Sequence, residues 1–594
     1  MRNVLQNMPN YDKFPTVSVN VGGEQVWAGW EAVANALDQK LATINKAEMV
    51  LVIDCYHGVF FAEIRSELEK RFEDAVFIDT SDFMLPADSI NALLQKDVTE
   101  DALFGYLTRC TMDCYFDKNK AVQFQERLRT EPAKLTIVYG IGAAYLCPTY
   151  DLLVYADMAR WEIQKRFRNN QISNIGVDNQ EQRTALQYKR AYFVDWRICD
   201  RWKKKLMKRW DYVLDTNTLG EPTLVTAEAL DLALQKTANQ PFRVVPFFDA
   251  GPWGGQWMKE KFDLDKSVVN YAWGFDCVPE ENSLYVSING TRVEIPSVNL
   301  VFAYPQQLLG NAVYGRFGDE FPIRFDFLDT MQGGNLSLQV HPLTEYIQEQ
   351  FGMHYTQDES YYILDADEKA ETVVYLGLKD GVDRNEMLNA LNQAQNSGTF
   401  DAEKYVGVYP IKKHDHVLIP AGTIHCSGAN SMVLEISATP YIFTFKLWDW
   451  GRMDLDGRPR PINIKHGQQV IQWDRTETWV KSEIINRVEV LKEEPGNKEE
   501  RTGLHQNEFI ETRRNWFTEK VEHHTNGGVN VLNLVQGSEA VVESPNGAFK
   551  PFVVHYAETF IVPAAVGAYS ISPTSQSVNE LCATVKAFVK CYAY

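Results

Sequence analysis

Apolar positions in the first third of the chain follow two rhythms. Residues 31–45 (EAVANALDQKLATIN) repeat at helical spacing, and MVLVIDCY (49–56) is then a continuous run rich in β-branched residues. Such a run marks a strand covered on both faces. FAEIRSELEKRF (61–72) returns to helical spacing, while AVFIDT (75–80) and KLTIVYGIG (134–142) read as further buried strands. Strands alternating with helices predict a doubly wound α/β domain over 46–220, preceded by an N-terminal extension, 1–45. Inside it, 155–211 is long, Arg-rich and helical in pattern.

The texture changes near residue 242. Short strands dominate, among them SLYVSING (283–290), LSLQVHP (336–342), ESYYILDA (359–366), ETVVYLGL (371–378), HVLIPAGTIH (416–425) and MVLEISAT (432–439). Gly, Asn, Asp and Pro punctuate them, which predicts an antiparallel barrel or sandwich with a helical insert at 385–398. A weak repeat links HDHVLIPAGTIHCS (414–427) to AETFIVPAAVGAYS (557–570), and only the first copy carries His416 and His425. Two small β-barrels in tandem follow, 240–470 and 471–594, the first equipped for chemistry and the second not. The charged stretch 488–503 reads as an exposed linker.

Composition narrows the partners. At 594 residues the chain holds roughly three to five domains. Lys and Arg total 59 against 79 Asp and Glu, a formal charge of −20 that repels phosphate backbones and argues against nucleic acid. A small anionic substrate stays open, since one local basic pocket overrides a screened distant field. No apolar stretch approaches the roughly 18 residues of a membrane span, and MRNVLQNMPNYDKFP lacks the apolar core of a secretion signal. Nine Cys, several within apolar runs such as Cys55 and Cys147, read as reduced buried thiols. Cys110 and Cys114 have helical spacing but no second Cys pair to complete a zinc site. A cytoplasmic protein without membrane association is expected.

One constellation carries chemistry. Gln339 and His341 flank Val340, so on a strand they share a face. Glu359 opens the next strand, and His425 follows the turn PAG. Two imidazoles, a carboxylate and an amide oxygen suit a borderline divalent ion such as Zn²⁺, with positions left open. His354, His414 and His416 compete as ligands.

Residues 240–465 resemble type I mannose-6-phosphate isomerases, zinc-dependent enzymes of the cupin fold. The resemblance rests on GPWGG (251–255), LSLQVHP (336–342), DESYYILDA (358–366), VYLGLKDGV (374–382), VLIPAGTIHCSG (417–428), VLEISAT (433–439) and KLWDWGRMDLDGRPRPI (446–462). The later segment, about 470–594, resembles that family's small C-terminal cupin. The resemblance implies one Zn²⁺ per chain on Gln339, His341, Glu359 and His425. It also implies a sugar-phosphate substrate, with mannose 6-phosphate and fructose 6-phosphate interconverted through an enediol. Glu435 and Lys446 are then the candidates near the reacting carbons, and Arg452 the candidate for the phosphate. Two positions depart from the family: Gln357 stands where a Lys is usual, and Lys446 where an Arg is usual.

Residues 46–220 resemble the P-loop fold of uridine-kinase-like proteins in VLVIDCYHGVFFAEI, SDFMLP (81–86, with Asp82) and IVYGIGAAYL (137–146). The loop offers only Gly58 and no following Lys or hydroxyl, so the phosphate cradle is incomplete and the domain is expected to be degenerate, at most a weak nucleotide binder. Arg160, Arg166, Arg168, Arg197 and Arg201 could form an anion site or a solvated helix face. Two alternatives to the isomerase stand beside it: a non-catalytic sugar-phosphate sensor, and a bifunctional protein with a nucleoside or sugar kinase at the N-terminus.

Overall fold

The computed structural model describes residues 10–591 except 45, 439–442, 454–459, 461, 504, 506–507 and 578–579. The β-branched runs of the N-terminal unit build a seven-stranded sheet. Across it lie Val26–Ala28, Thr223–Thr226, Tyr212–Asp215, Leu152–Asp157, Met49–Cys55, Leu135–Gly140 and Val76–Asp79. The strands from Tyr212–Asp215 to Val76–Asp79 are parallel, and the first two add antiparallel at one edge. A parallel sheet needs both faces covered, and Leu51, Val52 and Ile53 at its centre are buried.

The first 45 residues do not stand apart as an extension. Val26–Ala28 completes the sheet edge and leads into the helix Trp30–Ile44, while Thr16–Val19 pairs in parallel with Ser283–Ile288 of the next unit. The Arg-rich stretch begins as the strand Leu152–Asp157 and then breaks into helices Arg160–Arg168, Thr184–Arg190 and Trp196–Leu206. Its five candidate arginines are held by partners, and only Arg168 among the five is exposed. Arg160 pairs with Asp200, Arg168 with Asp249, and Arg166 and Arg201 donate to backbone carbonyls of Gly58 and Cys110. Arg197 donates to the Tyr192 carbonyl and lies near Glu280.

The chain beyond residue 242 forms two pairs of mostly antiparallel sheets, and Ser283–Ile288, read from its pattern as a strand of the barrel, lies outside both, in a three-stranded sheet with Thr16–Val19 and Thr291–Pro296. In the first, a six-stranded sheet runs His416–Ile419, Asp358–Ala366, Ser431–Ala438, Arg324–Asp329, Trp273–Cys277, Phe247–Asp249. It is matched by a five-stranded sheet running Val406–Pro410, Val373–Leu378, His425–Ser427, Leu338–Val340, Phe445–Trp448. The second pair has six and four strands. Its core sits between its sheets, where Phe517, Leu532, Leu534 and Cys582 from one meet Val521, Ala540, Tyr569 and Ile571 from the other. The stretch read as a linker is instead a hairpin, Glu489–Glu494 with Asn497–Gly503, at the edge of this six-stranded sheet. Pro495 and Gly496 make its turn, and its charges sit on a largely exposed edge strand, which hides the alternation.

The echoing segments occupy equivalent places. His416–Ile419 and His425–Ser427 lie in different sheets of the first pair, as Thr559–Val562 and Ala568–Pro573 do in the second. Strand order matches as well: Ile510–Phe517, Cys582–Val589, Asn530–Gln536 and Thr559–Val562 are neighbours as Arg324–Asp329, Ser431–Ala438, Asp358–Ala366 and His416–Ile419 are.

Candidate metal centre

Two three-residue strands and one of nine residues deliver the site. Gln339 lies within Leu338–Val340, directly across the ladder from His425. His341 follows that strand, and Pro342, which has no N–H to continue the ladder, ends it. Glu359 enters from the facing sheet as the second residue of Asp358–Ala366. His341, Glu359 and His425 are all buried, and one donor atom of each lies within 4.8 Å of the others. His341 Nε2 is 3.0 Å from Glu359 Oε2, and His425 Nε2 is 2.9 Å from Glu359 Oε1. The Gln339 amide approaches His425 Nε2 at 3.2 Å, and turning that amide over puts its oxygen in the same place.

The outer contacts decide how these groups point. His341 Nδ1 lies 2.8 Å from the Phe443 carbonyl, and His425 Nδ1 lies 2.9 Å from the Thr423 carbonyl. A carbonyl only accepts, so each Nδ1 carries a proton. In the neutral imidazoles each Nε2 lone pair then faces a carboxylate oxygen. Converging lone pairs in a buried space demand positive charge at the centre, from added protons or from an ion. Two imidazoles, a carboxylate and an amide oxygen fit a divalent transition ion. Among the described residues this is the one His/Cys/Asp/Glu cluster so arranged.

Gln357 donates to Glu359 Oε2 at 2.9 Å and accepts from the Phe443 N–H at 3.0 Å. The departure from Lys to Gln thus keeps a hydrogen bond to Glu359 while removing a charge. Phe443 holds His341 through its carbonyl and Glu359 through its N–H and Gln357. Its ring in turn stacks on Phe104 of the N-terminal unit, with centroids 5.6 Å apart and planes at 14°. Phe104 also meets Phe351, Phe445 and His466. Beside it His466 Nε2 lies 3.0 Å from Asp101 Oδ2. The N-terminal unit therefore packs directly behind the cluster.

In front of it opens a cavity of about 290 Å³, lined by Gln339, Gln357, Glu435, Lys446, Arg324, Arg460, Trp253 and Trp273 among others. Burial, and secondarily Arg460, pushes the Lys446 ammonium down to about 8 against the pull of Asp449. Burial, then the charges of Glu359 and Asp326, raises the Glu435 carboxyl well above its ordinary range. Arg452 is not part of the lining. Its Nε lies 3.0 Å from Asp449 Oδ1, and Nη1 donates to the Asn335 carbonyl at 2.8 Å. Arg460 reaches the cavity instead, with Nη1 2.7 Å from Asp449 Oδ2. Arg324 and Arg460 were not singled out by sequence; Arg460 stands in the same RPRPI segment as the quoted motif, and that proximity was the available signal.

The competing histidines lie elsewhere. His414 bonds the Tyr362 hydroxyl at 2.9 Å, His416 is buried with its pKa pushed by burial to about 3, and His354 is exposed. In the N-terminal unit, Gly58 adopts φ +97° and its carbonyl accepts from Arg166 at 2.7 Å. His57 uses both ring nitrogens, on the Ser173 carbonyl and Trp196 Nε1. Asp82 sits exposed. No helix among the described residues is long and apolar enough to cross a membrane.

Over 37–39% of its length the chain is homologous to mannose-6-phosphate isomerases. It is 27% identical over 221 residues to that of Streptococcus mutans and 25% identical over 235 residues to ManA of Bacillus subtilis. The chain spans 64% of the first relative, a little under two thirds, and 69% of the second. Among solved structures, the mannose 6-phosphate isomerase of Bacillus subtilis matches at 18% identity and a TM-score of 0.48, over 59% of this chain and 99% of that one. A point variant of the Salmonella typhimurium phosphomannose isomerase matches at 12% identity and a TM-score of 0.44, over 59% and 100%. Residues 29–239 match a family model described as a domain of unknown function, DUF8485.

Proposed function

We propose that the chain is a zinc-dependent aldose–ketose isomerase that interconverts mannose 6-phosphate and fructose 6-phosphate, working from a cupin-type barrel. The observation that carries this reading is the convergence of His341, Glu359 and His425, joined by Gln339, which also lines a cavity holding Lys446, Arg460 and Glu435. The homology to mannose-6-phosphate isomerases supports it.

Gln339, His341, Glu359 and His425 would hold the ion, whose Lewis acidity lowers the cost of negative charge growing on the substrate's oxygens. The chain's own residues do the rest. Lys446 and Arg460, at one end of the cavity, bind an anionic group and stabilise a developing oxyanion. Alternatively, as the neutral amine that burial favours, Lys446 takes the proton from C2 and returns it to C1, leaving the anionic group to Arg460. Glu435 lines the same space, where its carboxyl, raised by burial, is placed to exchange a hydrogen bond with a substrate hydroxyl. Trp253 and Trp273 wall the cavity and exclude water.

A coupled assay on mannose 6-phosphate, before and after a chelator, tests the reading. Turnover is expected in the metal-loaded protein and restored to the stripped protein by Zn²⁺. Binding of the sugar phosphate without turnover would favour a sensor instead.

A further inference from the structure

The strand ladders let the two sheet pairs be compared row by row. Glu359 lies opposite Ile419 and Ser437. The echoing sequences put Val562 in the place of Ile419, and Val562 lies opposite Asn530, which faces Phe588. Asn530 thus stands where the first unit has Glu359, and Ala568 stands where it has His425. A metal site is gone.

The next row is more informative. Tyr361, Glu435 and Asp326 align across the first unit, and Leu532, Lys586 and Arg513 align across the second. At both polar places an acid of the first unit is a base in the second. The buried Arg324–Asp326 ion pair has its counterpart in Glu511–Arg513, at 2.7 Å and in the opposite order. The buried carboxyl of Glu435 has become the ammonium of Lys586.

Lys586 shares its row and face with Leu532, which belongs to the core between the sheets, so it points inward. It is 7% exposed, its ammonium lies 3.4 Å from His523 Nδ1, and it makes no ion pair among the described residues. His523 is 8% exposed, stacks on Tyr569, and has no partner for Nε2. Asn497 and Asn515 each leave a buried side-chain oxygen unpartnered. All four residues line one cavity of about 500 Å³. The lysines nearer solvent are already neutralised, Lys492 by Glu494 and Lys520 by Glu543. Glu494, Glu499, Glu519 and Glu522 also line the cavity; Glu499 pulls on Lys586 but is itself held by Arg513 at 3.3 Å, and Glu494 by Lys492. A desolvated ammonium with no carboxylate in ion-pair range calls for an anion, and unpaired amide and imidazole groups call for hydroxyls.

We propose that the second sheet pair binds a small hydroxyl-bearing anion, of the class of a phosphorylated sugar alcohol, with Lys586 on the anionic group and His523, Asn497 and Asn515 on the hydroxyls. This site is separate from the metal centre and does not depend on what that centre does. Burial depresses the Lys586 pKa to about 8, and a seated anion would raise it again.

Titration calorimetry of the full chain with D-sorbitol 6-phosphate tests it. Parallel runs use K446M, which alters the first cavity, and K586M and H523Q, which alter the second. K586M fills the space without burying a charge, and it is expected to weaken by roughly tenfold or more a binding event that K446M leaves intact. H523Q weakens the same event less, inorganic phosphate binds there more weakly, and sorbitol itself does not bind. The proposal is overturned if K446M alone removes all binding heat, or if K586M and H523Q bind as the unaltered chain does. H523Q keeps the lysine, so its binding heat decides between these outcomes should K586M fail to fold.

Discussion

The two sheet pairs share a strand order and differ in what points inward. In the first, the ladder positions carry Glu359, Glu435 and Asp326, with imidazoles at His341 and His425. In the second, the equivalent places carry Asn530, Lys586 and Arg513, with Ala568 in place of a ligand. One scaffold thus presents an acceptor-rich centre that calls for a cation, and again a donor-bearing centre that calls for an anion. Hydrogen-bonded ladders fix where side chains go, not what they are, so chemistry is set by a few inward positions. The contrast extends to surroundings. The first centre is braced by the N-terminal unit through Phe104, Phe443 and Gln357, whereas the second cavity is walled by its own strands and edge hairpin.

The comparison breaks most visibly if the first centre is emptied. Glu359→Ala or His341→Ala should cut turnover by roughly a thousandfold or more and strip the bound ion, as a coupled assay and elemental analysis would show, while binding at Lys586 persists. Loss of both sites together would mean they are not independent. A smaller effect separates ion binding from chemistry. Lys446→Met should lower kcat by about a hundredfold and leave metal content unchanged; an unaltered kcat would remove Lys446 from the reaction. Smaller again is the brace. Phe104→Leu nearly preserves volume, yet it should weaken metal affinity by about tenfold in a chelator competition, because Phe443 orients both His341 and Glu359. Unchanged affinity would make Phe104 mere packing.

The smallest effect concerns pH. Burial pushes the Asp101 carboxyl up, but His466 and the backbone N–H groups of Leu103 and Phe104 outweigh it and bring it down to about 2. A carboxyl depressed on folding stabilises the fold above its unfolded pKa of about 4 and ceases to as pH falls toward 2. Asp101→Asn should therefore cost about 1 kcal/mol at neutral pH, discounted for partial exposure, and less and less as pH falls through about 2. Denaturation midpoints of the two chains that stay equally far apart at both pH values would contradict the assignment.

Much of this was legible in the sequence, and the reason is local periodicity. Buried parallel strands such as 49–55 announce themselves as unbroken apolar runs, and LSLQVHP places Gln339 and His341 on one face without any tertiary knowledge. The echo of 414–427 in 557–570 marked two equivalent strand–turn–strand units. What was not legible depends on contacts far apart in the chain. Nothing near Phe104 in sequence says that its ring stacks on Phe443, and nothing near Arg460 says that it rather than Arg452 reaches the cavity. The strand at Val26–Ala28 is defined by its partner Thr223–Thr226. The hairpin at 489–503 carries charge on both faces, so no alternation betrays it. Lys586 in TVKAFVK looks like an ordinary outward residue until the ladder turns it inward.

The central claim is that four side chains from facing sheets converge on one cation. Diffraction from crystals of the full-length protein at energies on either side of the zinc absorption edge tests it directly. The account predicts one anomalous peak per chain, bounded by Gln339, His341, Glu359 and His425, and no such peak in the second sheet pair. A protein that carries no divalent ion, or carries it away from those residues, would contradict it.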